Sequence, residues 1–191
     1  MTNQNTFIAD IIRLLDAAQI PYMISGSTAS AFYGNPRATN DTDIVIDPSH
    51  QSLLDFLQSL ETRYYASRQA AIEAMNQRTM FNVIDIKYAW KADLILRKTR
   101  TYSQQEFARR RKTFLNGLYL YLLSPEDSIL SKLEWACDRQ SRLHRDDVLG
   151  ILVSQWDTLD FDYLRTWAHQ LQVIDTLEQL ILEAKKQNPS G

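Results

Sequence analysis

The chain has 191 residues, is 45% hydrophobic and 23% charged, and carries a formal net charge of −2. That apolar content supports a packed core and excludes global disorder, and the near-balanced charge excludes an overall basic coat for nucleic acid. Its length suits one domain, or one domain with a small helical appendage.

The opening MTNQNTFIADIIRLL has no basic n-region and no long apolar run, so it does not read as a signal peptide. No stretch reaches 18 uninterrupted apolar residues, so no membrane partner is expected. A single cysteine, Cys137, excludes a disulfide framework and fits a reducing, cytoplasmic setting; with no motif around it, it reads as a small packed hydrophobe.

In chain order, Phe7 to Ala18 has the spacing of an amphipathic helix, with Phe7, Ile11, Ile12 and Leu15 on one side. Tyr22-Met23-Ile24 reads as a strand. Ser27 to Tyr33 reads as a short helix of small residues stopped by Gly34. Asn35-Pro36-Arg37 is a turn, and a second strand carries Asp41 and Asp43 until Pro48 ends it. His50 to Leu60 is expected to be a helix, with His50 at the surface. Residues 62–78 are ambiguous, with Tyr64-Tyr65 as a short strand and Gln69 to Asn76 as a short helix. Met80 to Ile86 and Ala92 to Leu96 read as strands around a turn near Ala89-Trp90.

Arg97 to Lys112 is the most basic window, with seven Lys or Arg against Glu106 alone. It reads either as a guide for a polyanionic acceptor or as a solvated helix face. Few aromatics interleave with its charges, so base stacking is not suggested. Leu118 to Leu123 reads as a strand, and Ser124 then caps a helix with Pro125 first and acids in the first turn. Helices follow over Gln140 to Ser154, Asp160 to Leu171 and Ile174 to Lys186, and Asn188 to Gly191 reads as a frayed tail.

The chemistry concentrates in Tyr22 to Asp47. Strand side chains alternate between faces, so Asp41, Asp43, Val45 and Asp47 share one face and Thr42, Ile44 and Ile46 the other. Two neighbouring carboxylates repel unless a cation offsets them, and hard oxygens suit Mg²⁺, with Mn²⁺ as a substitute. A helix opening at Gly26-Ser27 presents unpaired N–H groups that attract anions. Arg37, just before the acidic strand, could hold a phosphate or make a structural ion pair. Lys132 lies on the Ser124-capped helix among Ile129, Leu130 and Leu133, either as a functional cation or as a snorkelling surface lysine.

The string GSTASAFYGNPRATNDTDIVID places thirteen residues between Ser27 and Asp41. It resembles the signature of the nucleotidyltransferase fold superfamily, known from DNA polymerase beta, and the bacterial branch of AbiEii-like and stand-alone minimal nucleotidyltransferases. The resemblance runs over roughly residues 5–185 and takes in Ser124-Pro125-Glu126-Asp127 and Arg145-Asp146-Asp147-Val148. It implies an α+β fold, a mixed central sheet flanked by helices over residues 1–123, with a C-terminal helical region over 124–187. It implies Mg²⁺-dependent transfer of a nucleoside monophosphate from an NTP to an acceptor hydroxyl, with Asp41, Asp43 and a third acid as catalytic metal ligands. Lys91-Ala92-Asp93-Leu94-Ile95 is similar to the family's third-acid string, which favours Asp93 over Asp85. Gly26, Ser27, Arg37, Thr39 and Lys132 would bind the nucleotide, and Asp147 is a further candidate, against which stands Gly150 where some relatives repeat an acid. The implied acceptors are tRNA or other RNA, a protein, or a small molecule. The implied setting is a toxin–antitoxin or phage-defence system with an antitoxin partner. The competing class is a non-catalytic nucleotide- or partner-binding protein of the same fold.

Overall fold

The computed structural model describes residues 4–36, 41–60, 62–115, 117–139 and 142–187, with the backbone alone at 136–139. Arg37, Thr39, the Cys137 side chain and the tail at 188–191 lie outside the described residues. The described helices are α1 (Gln4–Ala17), α2 (Gly26–Tyr33), α3 (His50–Ser59), α4 (Arg68–Gln77), α5 (Thr101–Ala108), α6 (Pro125–Arg139), α7 (Arg142–Gln155), α8 (Phe161–Gln170) and α9 (Ile174–Gln187). The strands are β1 (Tyr22–Ile24), β2 (Asp41–Ile46), β3 (Tyr64–Tyr65), β4 (Met80–Asp85), β5 (Lys91–Leu96), β6 (Arg111–Leu115) and β7 (Leu118–Leu122). The fold is α+β. The chain divides into two compact units, residues 1–25 with 39–122, and residues 26–38 with 123–191.

The first unit holds a seven-stranded mixed sheet in the order β3-β4-β5-β2-β1-β7-β6. β2 pairs in parallel with β5 and antiparallel with β1, while β4 and β5 form an antiparallel pair. The alternation expected for β2 is present: Thr42, Ile44 and Ile46 are buried, whereas Asp41 is exposed and Asp43 and Val45 are half-buried. The apolar rows of β2, β4 and β5, with Phe81, Val83, Leu94 and Leu96, are almost wholly removed from water, as are Phe7, Ile11, Ile12 and Leu15 of α1. Each such side chain contributes roughly 1.5–3 kcal/mol relative to exposure.

The basic window is not one helix face. α5 occupies its middle, and the chain then turns into the strand β6. Arg97 is ion-paired to Asp47 at 2.8 Å, and the Arg110 guanidinium donates to the Phe107 carbonyl at 2.7 Å. No helix among the described residues is long and apolar enough to cross a membrane.

The second unit is helical. Ser124 caps α6 by accepting from the Asp127 amide at 3.1 Å, and its hydroxyl donates to the Asp127 carboxylate at 2.6 Å. The other Asp127 oxygen accepts from the Tyr163 hydroxyl of α8 at 2.7 Å, so the cap also fastens a neighbouring helix. Asp160 caps α8 through the Tyr163 amide. Gly34 ends α2 against α7: a Cβ there would sit 2.8 Å from the Ile151 amide nitrogen, a backbone atom that cannot swing away. Gly150 likewise leaves room for Asn35.

Candidate functional site

The acidic face of the sheet is built by register. Asp43 of β2 stands opposite Asp93 of β5, and Asp93 stands opposite Asn82 of β4, so three polar side chains form one row across three strands. Asp41 stands opposite Lys91 in the next row. Asp43 and Asp93 therefore share a face by pairing, and Asp41 joins them by alternation.

Two donors orient Asp93. The Asn82 amide donates to its Oδ1, and Lys91 Nζ lies 3.2 Å from the same atom. Lys91 Nζ also lies 3.4 Å from Asp41 Oδ2 and so bridges the two acids. Burial works against its charge, but hydrogen bonding to Asp93 and the charges of Asp93 and Asp41 outweigh that and raise its pKa. The ammonium thus stays charged at neutral pH.

Asp85 is elsewhere. It is three residues from Asn82 along β4, hence on the opposite sheet face, and it is fully buried. Its Oδ1 accepts from the Lys87 and Tyr88 amides, each at 2.9 Å, and closes the turn into β5; its Oδ2 faces Arg63 Nε at 3.4 Å. Asp85 is a turn-closing group, and Asp93 is the acid that accompanies Asp43.

The donor chemistry of Asp41, Asp43 and Asp93 fits a divalent cation. Among the described residues no group of three or more His, Cys, Asp or Glu side chains is arranged to hold a metal ion. Mg²⁺ does not require one, since it is usually held by one or two carboxylates with water and phosphate completing its shell.

The Ser25 amide donates to the Asp43 carbonyl at 2.9 Å, and the chain passes directly from Ser25 into Gly26. Gly26 has φ +59°, a left-handed conformation that glycine adopts without the Cβ clash of other residues. In the helical unit, Lys132 is not a snorkelling surface lysine. It is 6% exposed, and its Nζ donates to Asp147 Oδ2 at 2.8 Å. The Ser30 hydroxyl of α2 reaches the same oxygen at 3.5 Å. Lys132 and Asp147, separate candidates by sequence, form one buried pair.

Reading the sequence alone does not assign Lys91 or Asn82 a place at the site. Lys91 carried a signal, two residues before Asp93 on the same strand face. Asn82 carried none, because only the antiparallel register of β4 brings it to Asp93.

This architecture matches solved structures over almost its whole length. A nucleotidyltransferase-like antigenic protein from Paracoccidioides brasiliensis superposes with a TM-score of 0.58 at 20% identity, covering 93% of this chain and 91% of that one. The chain has a nucleotidyltransferase fold. ANT(2")-Ia, solved with adenylyl-2"-tobramycin, gives a TM-score of 0.58 at 14% identity, covering 90% of this chain and 98% of that one. The lincosamide antibiotic adenylyltransferase LnuA, lincomycin-bound, gives 0.53 at 14% identity, covering 75% of this chain and 93% of that one. No protein-family model matches the sequence, and no curated protein matches it.

Proposed function

We propose that this protein is a nucleotidyltransferase that moves a nucleoside monophosphate from an NTP to an acceptor hydroxyl and releases pyrophosphate. The observation that carries the reading is the in-register pair Asp43 and Asp93, with Asp41 on the same face, in a fold shared with nucleotidyltransferase-like proteins. Asp41, Asp43 and Asp93 would hold Mg²⁺, which when bound neutralises phosphate charge and polarises the reacting oxygens. Asp93, fixed by Asn82 and Lys91, accepts the proton of the acceptor hydroxyl as its oxygen attacks the α-phosphate in line. Lys91 holds Asp41 and Asp93 in place between turnovers. Gly26 and Ser27, at the start of α2, would bind phosphate oxygens, since a helix start favours anions. The Lys132–Asp147 pair fixes α6 against α7, and Lys132 turns toward nucleotide phosphate if the pair opens.

The names of the similar structures favour a hydroxylated small molecule as acceptor, and the AbiEii-like resemblance favours RNA or tRNA ends in a toxin–antitoxin or phage-defence setting. Drug resistance on expression supports the first; growth arrest relieved by a partner protein supports the second. The deciding experiment is transfer from labelled NTPs into RNA, protein and small-molecule pools, comparing wild type with Asp41→Ala/Asp43→Ala. Transfer by wild type with loss in the variant is expected. No transfer to any pool overturns the reading. One observation favours a non-catalytic nucleotide-binding protein instead: Lys91 already supplies a cation between Asp41 and Asp93. Binding of Mg²⁺-nucleotide without turnover would select that alternative.

A further inference from the structure

The far edge of the sheet carries a second surface that the acidic site does not use. β6 is the terminal strand, and among the described residues it pairs with β7 alone. Register puts Lys112 opposite Tyr121 and Phe114 opposite Tyr119, so these four side chains share one face of the hairpin. The other face turns Leu120 and Leu122 into the core.

Phe114 is 60% exposed and Tyr119 is 64% exposed, with ring centres 5.0 Å apart. Lys112 Nζ lies 5.4 Å from the Tyr119 ring centre. The Arg110 guanidinium lies 5.0 Å from the Tyr121 ring and 4.5 Å from the Phe107 ring. Cations and rings therefore alternate along the hairpin. Arg109, Arg110, Arg111 and Lys112 are consecutive, and no Asp or Glu lies between Glu106 and Glu126. Asp16, at the C-terminal end of α1, is near enough to Lys112 for that charge to work against the upward push of burial on its pKa.

We propose that this face of the β6–β7 hairpin binds single-stranded nucleic acid, with unpaired bases stacking on Phe114 and Tyr119 and Lys112 meeting the phosphates. Exposed rings beside cations are the pairing that single strands use, because every base has a stacking face and every linkage a negative charge. A second copy of this chain fits less well, since a two-fold contact would bring Lys112 and Arg111 of each copy toward like charge. The aromatics lie just beyond the basic window in sequence, and only the fold of the hairpin interleaves them with its charges. The inference deepens the transferase reading by naming nucleic acid as acceptor class, and rests on that reading for this step alone.

The test is titration of wild-type protein, without NTP, into a fluorescein-labelled single-stranded RNA of about twelve nucleotides, with the matching DNA and the matching duplex as comparison arms. Saturable binding is expected, weaker for the duplex. Phe114→Leu/Tyr119→Leu keeps apolar bulk in the hairpin and should weaken binding about tenfold or more with an unchanged melting temperature. Lys112→Gln should lower the slope of log affinity against log salt by about 0.7. Asp41→Ala/Asp43→Ala should bind like wild type, so failed binding overturns this inference alone and failed transfer overturns the transferase reading alone. Besides failed binding, two results overturn the proposal: wild-type affinity in the leucine variant, or sedimentation showing a wild-type dimer that this variant dissolves.

Discussion

The two faces of the β4–β5–β2 segment use aspartate in opposite ways. On one face Asp43 and Asp93 stand side by side, half-buried and buried, Asp41 is exposed, and Lys91 and Asn82 contact the acids. On the other face, which also carries Phe81, Val83 and Leu94, Asp85 is fully buried, with its oxygens committed to two backbone amides and Arg63. Strand alternation alone separates the two, since Asp85 and Asn82 differ by an odd number of residues. A carboxylate whose partners are backbone amides is a structural part; one whose partners are a lysine and a side-chain amide can exchange them for a ligand.

Exchanging the roles of these acids gives the sharpest break. Asp93→Asn should reduce nucleotide transfer by about 10³-fold, the scale of losing a preorganised charge at a reacting centre, with little change in melting temperature. Asp85→Ala should do the reverse: transfer by the folded fraction is kept, and chemical denaturation shows a loss of about 2–4 kcal/mol from the orphaned turn amides. Equal effects of the two substitutions on both measurements would erase the distinction between the faces.

The buried pair of the helical unit extends the comparison to a lysine. Lys132→Met leaves Asp147 charged and shielded from water, and should cost about 3–5 kcal/mol in urea denaturation. The double variant Lys132→Met/Asp147→Leu should recover most of that loss. Lys91→Met removes a lysine whose side chain is 34% exposed and whose partner Asp41 is 52% exposed, so the metal-free protein should change by less than about 1 kcal/mol. A large loss there would mean that Lys91 is a structural fixture like Lys132.

Much of the fold was readable because its signals are local. The Ser124 and Asp160 caps, the stop at Gly34 and the alternation of β2 each occupy a few adjacent residues. Register is not local. It put Asp93 beside Asp43 and Asp85 on the other face, brought Asn82 to Asp93, and made the end of the basic window an edge strand. Lys132 stayed open between a functional cation and a surface lysine because its own helix places no acid three or four residues from it; its partner, Asp147, arrives from α7. The acids of Ser124-Pro125-Glu126-Asp127 were read as first-turn charges favouring a helix start, yet Asp127 also ties α6 to α8, a link that no spacing within α6 reveals.

The sequence position of α2 has a consequence for biogenesis. Its eight residues lie between two strands of the sheet unit, yet its packing partners are α6 and α7. During synthesis the helix emerges early and waits without a hydrophobic partner until Pro125 and beyond have left the ribosome. A truncated product ending near Leu122 would therefore hold all the described strands and still display an orphaned short helix, a natural handle for chaperone or protease surveillance.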